Sequence, residues 1–461
     1  MGTQTQGYDL AIDTDYMGCE NCPDVLCLTR PDIVEEIHAG YYAAGSDVVT
    51  TNTFGAAAHT LGEFDLYDRA EELSRKAAEI ARKAADAYST PEKPRFVAGS
   101  LGPGTKLITL GQISFDDMRD SYAHAARGLI DGGVDCVLLE TCQDLLQIKA
   151  AVAGIELAHD QLGLERGTVP IFVSVTIEQT GTMLVGSSIE AAIEALRPLP
   201  IASLGLNCAT GPVEMVNTVR TLASRWDRHI TLMPNAGLPT LVEGKTIYPL
   251  TSQGFRDAME LFLREGLISA VGGCCGTTPE HISYLSDLVA QTPLGQRPEA
   301  RIVPACSSLY SAVEYRQDAS FLIVGERCNS SGSRAFKRLL EAEDWEGICS
   351  LAKNQVKDGS HVLDVNVDVA GRDGARDMYE VVSRLVQQAD APLMLDSTSQ
   401  ETIEAGLKAA GGKCIINSAN FEDGEEKFDR FCRLAKTYGA ALVIGTIDED
   451  PEEAMARTAD R

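Results

Sequence analysis

A repeated pattern of polar and apolar positions runs along the chain. An amphipathic segment is followed by a glycine and then by a short apolar run, as at Gly133 before Val134-Asp-Cys-Val-Leu-Leu and at Gly359 before His361-Val-Leu-Asp-Val. A glycine after a helix takes the left-handed conformation that ends it, and a continuous apolar run suits a strand buried on both faces. The pattern therefore predicts an α/β fold of repeated βα units around parallel sheets.

Two of the connecting helices have clear sequence signals. Apolar residues recur three and four positions apart from Leu66 to Ala84, with charged residues between them, which is typical of an amphipathic helix. Thr278-Pro279 predicts the start of another helix, because threonine caps a helix N-terminus and proline suits its first turn.

Seven runs before residue 295 have the character of buried strands. They are Val48–Thr53, Phe96–Leu101, Cys136–Thr141, Ile171–Thr176, Ser203–Cys208, Thr231–Asn235 and Ile268–Cys274. Eight strands would close a TIM-type (β/α)8 barrel, and the residues after Met1 resemble a loop, so the first strand is expected to precede Met1. Residues 1–292 are therefore predicted to form a barrel that lacks its first strand.

A second series of strands follows a segment with a different composition. Residues 293–317 contain three prolines, few periodic apolar positions and no strand signal, as expected of an interdomain linker. Five strands are predicted beyond it, before a polar, acidic helix at the end of the chain: Phe321–Gly325, Val362–Val367, Leu393–Leu395, Cys414–Asn417 and Ala441–Thr446. Residues 318–461 are thus predicted to form a second barrel, in tandem, that lacks its C-terminal strands.

Composition and charge argue against some classes of binding partner. Asp and Glu number 67 against 40 Lys and Arg, a formal net charge of −27, which repels nucleic-acid phosphates and anionic membranes. No apolar run approaches the length of a membrane span, and the chain opens with small polar residues rather than a basic, apolar leader. A cytoplasmic protein without nucleic-acid or membrane partners is expected, and its 13 cysteines should be reduced.

Three cysteines lie where the first predicted barrel would have its active site. Cys208 ends one strand, and Cys274 and Cys275 end another in Gly272-Gly-Cys-Cys-Gly, whose glycines permit both sulfurs to turn inward. Three thiolates with one vacant position are typical of a catalytic zinc site, which can bind and activate a substrate thiol. The alternative of small buried cysteines fits less well with two strand ends in glycine-rich loops.

Other cysteines and one histidine are weaker candidates for metal binding. Cys19 and Cys22 form a Cys-x-x-Cys with Cys27 close behind, but no second pair accompanies them, so we interpret all three as loop cysteines rather than as a zinc or redox site. His281 could be a fourth zinc ligand, yet it falls inside the helix that starts at Thr278-Pro279, and we interpret it as a solvated helix residue.

Polar residues end several further strands. Glu140 and Asn235 end strands of the first barrel, where either could bind the substrate or cap the next helix. Carboxylates and amides also lie at the ends of the first four strands of the second barrel, at Glu326, Asp364, Asn366, Asp396 and Asn417. Without a lysine or a phosphate loop, this rim suits a neutral heterocycle with many N–H donors, such as a pterin, although each residue could instead cap a helix.

Several motifs together resemble the cobalamin-dependent methionine synthase family. They are Leu28-Thr-Arg-Pro-Asp-Ile-Val, Thr51-Asn-Thr-Phe-Gly, Gly205-Leu-Asn-Cys, Gly273-Cys-Cys-Gly-Thr-Thr-Pro, Gly325-Glu-Arg and Asp364-Val-Asn-Val-Asp. The resemblance implies that the first barrel binds homocysteine and the second binds 5-methyltetrahydrofolate. It implies an enzyme that transfers a methyl group from methyltetrahydrofolate, via cobalamin, to zinc-activated homocysteine, giving methionine and tetrahydrofolate.

The resemblance also implies residue roles in the first barrel. Cys208, Cys274 and Cys275 would hold zinc, while Glu140 and Asn235 would help to bind homocysteine.

In the second barrel, the resemblance implies that Asp364, Asp396 and Asn417 contact the pterin. Glu326 and Asn366 would line the same pocket.

The resemblance covers two modules of a longer enzyme. The family's first strand with its substrate-contacting aspartate, the later strands of the pterin barrel and the reactivation module have no counterpart, and none of the seven histidines matches the Asp-x-His-x-x-Gly motif of the cobalamin module. Cobalamin is therefore expected from a module in cis or in trans. Two alternatives stay open: a cobalamin-independent homocysteine S-methyltransferase with a small methyl donor, and a thiol- or zinc-binding protein without catalysis.

Overall fold

The computed structural model describes residues 1–242, 245–447 and 455, which form an α/β fold with two parallel sheets. The strands up to residue 271 are β1 (Val48–Thr50), β2 (Phe96–Leu101), β3 (Cys136–Cys142), β4 (Ile171–Val175), β5 (Ile201–Asn207), β6 (His229–Met233), β7 (Thr240–Val242), β8 (Lys245–Ile247) and β9 (Ala270–Val271). Seven of them form one sheet in the order β1-β2-β3-β4-β5-β6-β9. Every strand predicted in this half is present, and β1 and β9 are the two edges of the sheet.

Helices alternate with these strands. They are α1 (Gly2–Thr5), α2 (Leu26–Thr29), α3 (Pro31–Ala43), α4 (Ala58–Leu61), α5 (Ala70–Tyr88), α6 (Phe115–Asp131), α7 (Leu145–Gln161), α8 (Ile189–Leu196), α9 (Pro212–Arg225), α10 (Ser252–Arg264) and α11 (Pro279–Gln291). The predicted amphipathic helix is α5, which begins at Ala70 rather than Leu66 because Tyr67–Arg69 form a 3-10 turn. Helix α11 begins as predicted, with Thr278 at its N-cap and Pro279 in its first turn.

Two antiparallel hairpins have no counterpart in the sequence prediction. One is β7–β8, and the other pairs β10 (Ala305–Ser307) with β11 (Ala312–Glu314) inside the segment predicted to lack strands. That part of the prediction is wrong, because strands of three residues carry too little alternation to be recognised. Ser307 exchanges two hydrogen bonds of 3.2 and 2.9 Å with the backbone of Lys413, so the second hairpin is bonded to the base of the second sheet.

The second sheet contains five parallel strands in chain order. They are β12 (Val324–Asn329), β13 (Val362–Asn366), β14 (Leu393–Asp396), β15 (Ile415–Ala419) and β16 (Ala441–Ile444). The helices of this half are α12 (Arg334–Glu341), α13 (Trp345–Lys357), α14 (Gly374–Gln388), α15 (Gln400–Leu407) and α16 (Glu425–Tyr438). All five predicted strands exist, but the first runs from Val324 to Asn329 instead of ending at Gly325.

The two predicted barrels are therefore observed as two open parallel sheets. The acidic helix predicted at the end of the chain lies beyond residue 447, outside the described residues apart from Met455. Among the residues that the structure describes, no helix has the length and apolar character needed to cross a membrane.

The base of the second sheet packs on helices of the first half of the chain. Lys149 of α7 donates to the backbone carbonyls of Ala410 and Gly412, at 3.4 and 2.6 Å, just before β15 begins. Lys408 at the end of α15 forms an ion pair of 2.9 Å with Asp116 of α6. Because these contacts involve the end of the sheet where strands begin, the opposite rim, where the strands end, points away from the first half.

We expect Lys149→Met to alter the pH dependence of stability. Lys149 is 3% exposed, and burial lowers the pKa of its ammonium group to about 8. An unfolded lysine titrates near pH 10.4, so between these two values the unfolded chain binds more protons than the folded chain. The wild type should thus gain about 3 kcal/mol of stability relative to the variant as the pH rises from 8 to 10.5.

Urea unfolding of both proteins at pH 7, 9 and 10.5 would measure this gain. The neighbouring Cys414 and Lys413, which also titrate in this range, are present in both proteins and cancel in the comparison. A stability difference that stays constant with pH would contradict the prediction.

Candidate functional site

The three predicted cysteines meet at the rim of the first sheet. Cys208 directly follows β5, and Cys274 and Cys275 follow β9 in the loop before α11. Their Sγ atoms all lie within 4.8 Å of one another, and those of Cys208 and Cys275 are 3.8 Å apart. Two sulfurs on a tetrahedral zinc ion with Zn–S bonds of about 2.3 Å are separated by ~3.8 Å. The cluster therefore has the dimensions of a three-thiolate zinc site, and it is the only such group of metal-ligating side chains among the described residues.

Three residues at this rim have strained backbone conformations. Thr141, Cys208 and Ala209 have φ angles of 59°, 61° and 56°, in the left-handed region that non-glycine residues rarely adopt. Each such residue costs about 1–2 kcal/mol, and strain of this kind is common at functional sites. The turn at Cys208 places its sulfur against that of Cys275.

Hydrogen bonding makes the three thiols unequal. Bonds from Cys208 and Cys274 lower the pKa of Cys275. The pKa of Cys274 is raised by the neighbouring thiols of Cys208 and Cys275 and by its partial burial. Tyr248, which follows β8, also hydrogen-bonds to Cys275. The neighbouring donors thus favour the thiolate form of Cys275, which is the form that binds a cation.

Asn235 holds the loop that carries the cysteine pair. Its side-chain oxygen accepts a hydrogen bond of 3.1 Å from the backbone N–H of Cys275, and it is 2% exposed. Helix α10 is capped by Thr251 instead, so Asn235 is not a helix cap.

Glu140 lies beside the thiols, within β3. Its carboxylate accepts a hydrogen bond of 2.5 Å from the Ser100 hydroxyl, and burial raises the pKa of the carboxyl group. It is close enough to Cys275 for the two charges to interact. Asp144 caps the following helix α7, so capping does not explain Glu140 either.

His281 is buried rather than solvated, contrary to the prediction. It is 8% exposed, and it does lie in α11 as predicted. Its Nδ1 atom lies 3.0 Å from the Thr278 hydroxyl, and its Nε2 atom lies 3.1 Å from the Leu250 carbonyl. Both ring nitrogens are therefore engaged in holding the helix start, and neither is left for a metal.

The prediction of three loop cysteines near the N-terminus is wrong for one of them. Cys27 is buried in helix α2, whereas Cys22 lies in a loop as predicted, although it is 2% exposed within a hydrophobic cluster. Burial raises the pKa of Cys22 to about 12, which makes it an unreactive thiol. Only Cys19 lies in a partly exposed turn.

We expect Gly276→Ala to weaken metal binding, because Gly276 packs against Tyr248. Gly276 has a φ of +78°, and an added Cβ would lie 2.4 Å from the Tyr248 side chain, so Tyr248 and the cysteine loop would have to move. Disturbing residues that support metal ligands typically costs 10- to 100-fold in affinity. We therefore expect about a 10-fold loss of zinc affinity in a competition titration with a chelator.

Gly18→Ala is the matched control for this substitution. Gly18 has a similar φ of +76° but no atom within 4 Å of an added Cβ. Both variants should lose about 1 kcal/mol of stability from backbone strain, while only Gly276→Ala should lose zinc affinity. Equal zinc affinity in the two variants would contradict the prediction.

The rim of the second sheet brings together acidic and amide side chains. Asn329, at the end of β12, donates from Nδ2 to Asp364 Oδ2 at 2.7 Å and to Asp396 Oδ2 at 2.9 Å. Asn366 donates to the same Asp396 oxygen at 3.3 Å. Three of the five residues predicted for this rim, Asp364, Asn366 and Asp396, therefore form one hydrogen-bonded group, linked by Asn329. Asn417 lies opposite Asp396 in the register of β14 and β15, at the same rim.

Glu326 is the exception at this rim. The strand continues past it, so Glu326 lies in the middle of β12 and is exposed, although its charge contributes to raising the pKa of Asp364. Asn329 takes the strand-end position instead. Sequence analysis missed Asn329 because it ended the strand four residues too early, at Gly325.

Asp364 has an unused acceptor. It is 3% exposed, and its Oδ1 atom is buried without a hydrogen-bond partner among the described residues. Burial raises the pKa of both Asp364 and Asp396. A buried acceptor without a donor is costly, and a ligand with neighbouring N–H groups would satisfy it.

Comparison with known proteins matches both halves of the chain. The homocysteine S-methyltransferase family matches residues 1–289, and the pterin binding enzyme family matches residues 325–461. The chain is 47% identical over 466 residues to methionine synthase from Mycobacterium tuberculosis and 45% identical over 469 residues to that from Mycobacterium leprae. Both alignments cover 100% of this chain but 38% of the relative. A solved structure of the homocysteine methyltransferase MmuM from Escherichia coli, in its oxidized form, is 19% identical with a TM-score of 0.49, over 62% of this chain and 93% of that one.

Proposed function

Because the chain belongs to the homocysteine S-methyltransferase family, we propose that it carries the two substrate-binding units of a methionine synthase. In this proposal a methyl group passes from 5-methyltetrahydrofolate, via cobalamin, to homocysteine, giving methionine and tetrahydrofolate. The observation that carries the proposal is the combination of two rims in one chain: a cluster of three thiols on the first sheet and a group of carboxylates and amides on the second.

We propose that each sheet is part of a (β/α)8 barrel. Residues 1–292 would form the homocysteine unit, 293–317 the connection and 318–461 the folate unit. The parallel strand order and the position of both polar groups where strands end support this division, because barrel active sites lie at that end.

In the first unit, Cys208, Cys274 and Cys275 would hold zinc. Zinc would lower the pKa of the homocysteine thiol from about 8.5, so that the sulfur is a thiolate at neutral pH. We assign Glu140 to the ammonium group of homocysteine, because its half-buried carboxylate lies close enough to Cys275 for their charges to interact. Asn235 would contribute to the same pocket through the amide group that holds the Cys275 loop.

In the second unit, we assign Asp364, Asp396 and Asn417 to the N–H groups of the pterin, with Asn366 and Glu326 lining the pocket. The unpaired Oδ1 atom of Asp364 supports this assignment, because it is an acceptor without a donor. Hydrogen bonds from N–H groups to a carboxylate are charge-assisted and are among the stronger ones in proteins.

The arrangement of the two units calls for a mobile methyl carrier. The second sheet meets the first unit through its base, at Ala410 and Gly412, so its rim points away from that unit. A methyl group therefore cannot pass directly between the two rims. We propose that cobalamin, held by a module outside this chain, visits each rim in turn, and that the chain's contribution is to position each substrate for displacement at carbon.

The alternative is a cobalamin-independent homocysteine S-methyltransferase that uses a small methyl donor. The match of residues 1–289 to the wider family favours it, since that match concerns the first unit alone. The hydrogen-bonded group on the second rim argues against it, because this alternative leaves that group without a ligand.

The zinc-to-protein ratio across a size-exclusion profile is the first test of the proposal. We expect one zinc per chain in a discrete peak, which should then form methionine from homocysteine and supplied methylcobalamin and bind methyltetrahydrofolate. A discrete zinc-free peak would refute the thiol site. Methionine formation from a small donor such as S-methylmethionine, without methyltetrahydrofolate binding, would favour the alternative.

We place the reaction in the cytoplasm, in keeping with the free cysteines.

A further inference from the structure

Asn207 connects separate parts of the rim of the first sheet where the three cysteines meet. We propose that it is a positioning residue that orients the Cys274 thiolate toward the metal. This inference rests on the proposed function, in which Cys274 is a zinc ligand. Asn207 is the last residue of β5, immediately before Cys208, and it is fully buried. Its side chain contacts Thr141 at the end of β3 and Cys274 after β9.

The two bonds to Thr141 determine which way the Asn207 amide faces. Its Oδ1 atom accepts from the Thr141 backbone N–H at 2.8 Å, and its Nδ2 atom donates to the Thr141 hydroxyl at 2.8 Å. A backbone N–H can only donate, so the amide oxygen must face it. The NH2 group is thereby directed away from that N–H, and its nitrogen lies 3.7 Å from Cys274 Sγ.

An N–H group directed at a thiolate changes the thiolate as a ligand. It fixes the direction of the sulfur, as partners of metal ligands generally do. Because the N–H group carries a partial positive charge, it also withdraws electron density from the sulfur. The sulfur then donates less charge to a bound cation, which stays more able to lower the pKa of a fourth, substrate thiol. Asn207 would thus act through Cys274 and not by touching the substrate.

The same amide also ties the thiol cluster to the neighbouring carboxylate. Thr141 follows Glu140 directly and has a φ of 59°, in the left-handed region that non-glycine residues rarely adopt. The bonds from Asn207 hold Thr141 in that conformation. The proposed sites for the thiolate and the ammonium group of homocysteine are therefore held at a constant separation by one side chain.

The test compares metal binding by the wild type, Asn207→Asp and a control variant, Thr176→Val. Aspartate has the same shape and still accepts from the Thr141 N–H, but it directs a carboxylate oxygen, not an N–H group, at Cys274. Thr176→Val removes a hydroxyl that donates to the Asn207 backbone carbonyl at 3.1 Å and leaves the amide alone. Each protein is loaded with Co²⁺, and the sulfur-to-cobalt charge-transfer band is recorded.

We expect Asn207→Asp to shift the charge-transfer band to longer wavelength and to weaken zinc affinity by about 10- to 100-fold. Thr176→Val should keep the wild-type band and an affinity within about twofold of wild type. We expect this even if the variant unfolds at a lower temperature, because a loss of stability alone does not move the band. An unchanged band and affinity in Asn207→Asp would overturn the inference. Failure of the wild type itself to bind Co²⁺ or zinc would instead overturn the proposed function on which the inference rests.

A second measurement needs no variant and covers the case in which Asn207→Asp does not fold. The wild-type chain is labelled with nitrogen-15 at asparagine and loaded with cadmium-113. A hydrogen bond from Nδ2 to a metal-bound sulfur transmits a scalar coupling between the amide protons and cadmium. We expect that coupling for one asparagine side chain, and its absence in the cadmium-loaded protein would overturn the inference.

Discussion

Cys275→Ser should abolish the metal site of the first unit and leave the second unit intact. Binding of structural zinc amounts to about 10–16 kcal/mol over four ligands, so the loss of one thiolate should weaken zinc affinity at least about 100-fold. Hydrogen bonds from Cys208 and Cys274 also lower the pKa of Cys275, so the remaining thiols lose their common partner in the variant. Methylation of homocysteine by methylcobalamin should fall by at least about 30-fold, because a substrate thiol with a pKa near 8.5 is only about 3% ionised at pH 7 without the metal.

Zinc content, methionine formation and methyltetrahydrofolate binding should be measured on the same preparation. Cys19→Ser is the control, because Cys19 is a half-buried thiol outside the cluster and should keep all three properties. Retention of stoichiometric zinc and of activity by Cys275→Ser would contradict the assignment. Loss of all three properties would indicate a folding defect, which the melting temperature would reveal.

Asp396→Asn should produce the opposite pattern, with methyltetrahydrofolate binding weakened about 100-fold and zinc content unchanged. Its Oδ2 atom already accepts hydrogen bonds from Asn329 and Asn366, so the carboxylate is held in place at the rim. Hydrogen bonds to a charged group are worth about 1.5–3 kcal/mol each, and an amide would present an N–H group where the pterin needs an acceptor. Calorimetric titration with methyltetrahydrofolate would measure the change.

Asp390→Asn is the matched control for this substitution. Asp390 lies just before the other end of the same strand, β14, where it accepts from the hydroxyls of Ser308 and Ser311 at 2.6 and 2.8 Å. It should cost some stability, about 1–2 kcal/mol, without changing methyltetrahydrofolate affinity. Similar losses of affinity in both variants would show that stability and not the rim contact is responsible, and the assignment of Asp396 would fail.

Much of the fold was predictable because its signals are local. Each predicted strand is present, since a buried parallel strand is a short apolar run whose neighbours along the chain are helix ends and glycines. The thiol cluster was predictable for the same reason. Cys208, Cys274 and Cys275 each follow a strand directly or within a short glycine-rich loop, and parallel strands bring such positions to one rim.

The residues that organise both rims were not predictable, because their partners are distant in sequence. Asn207 bonds to Thr141, which is 66 residues away, and Asn329 bonds to Asp396, which is 67 residues away. In the sequence, each is simply an amide within or beside a strand. His281 was misjudged in the same way, since the Leu250 carbonyl that meets its ring lies 31 residues earlier.

The sequence by itself therefore determined the order of strands and helices, the three thiols and most of the acidic rim, because these depend on local periodicity and on which residues end a strand. Tertiary structure alone decided which side chains orient the thiols and carboxylates, that the presumed linker contains the hairpin β10–β11, and that the second rim points away from the first unit. These features arise from hydrogen bonds and packing between elements far apart in the chain, and no local pattern of residues encodes them.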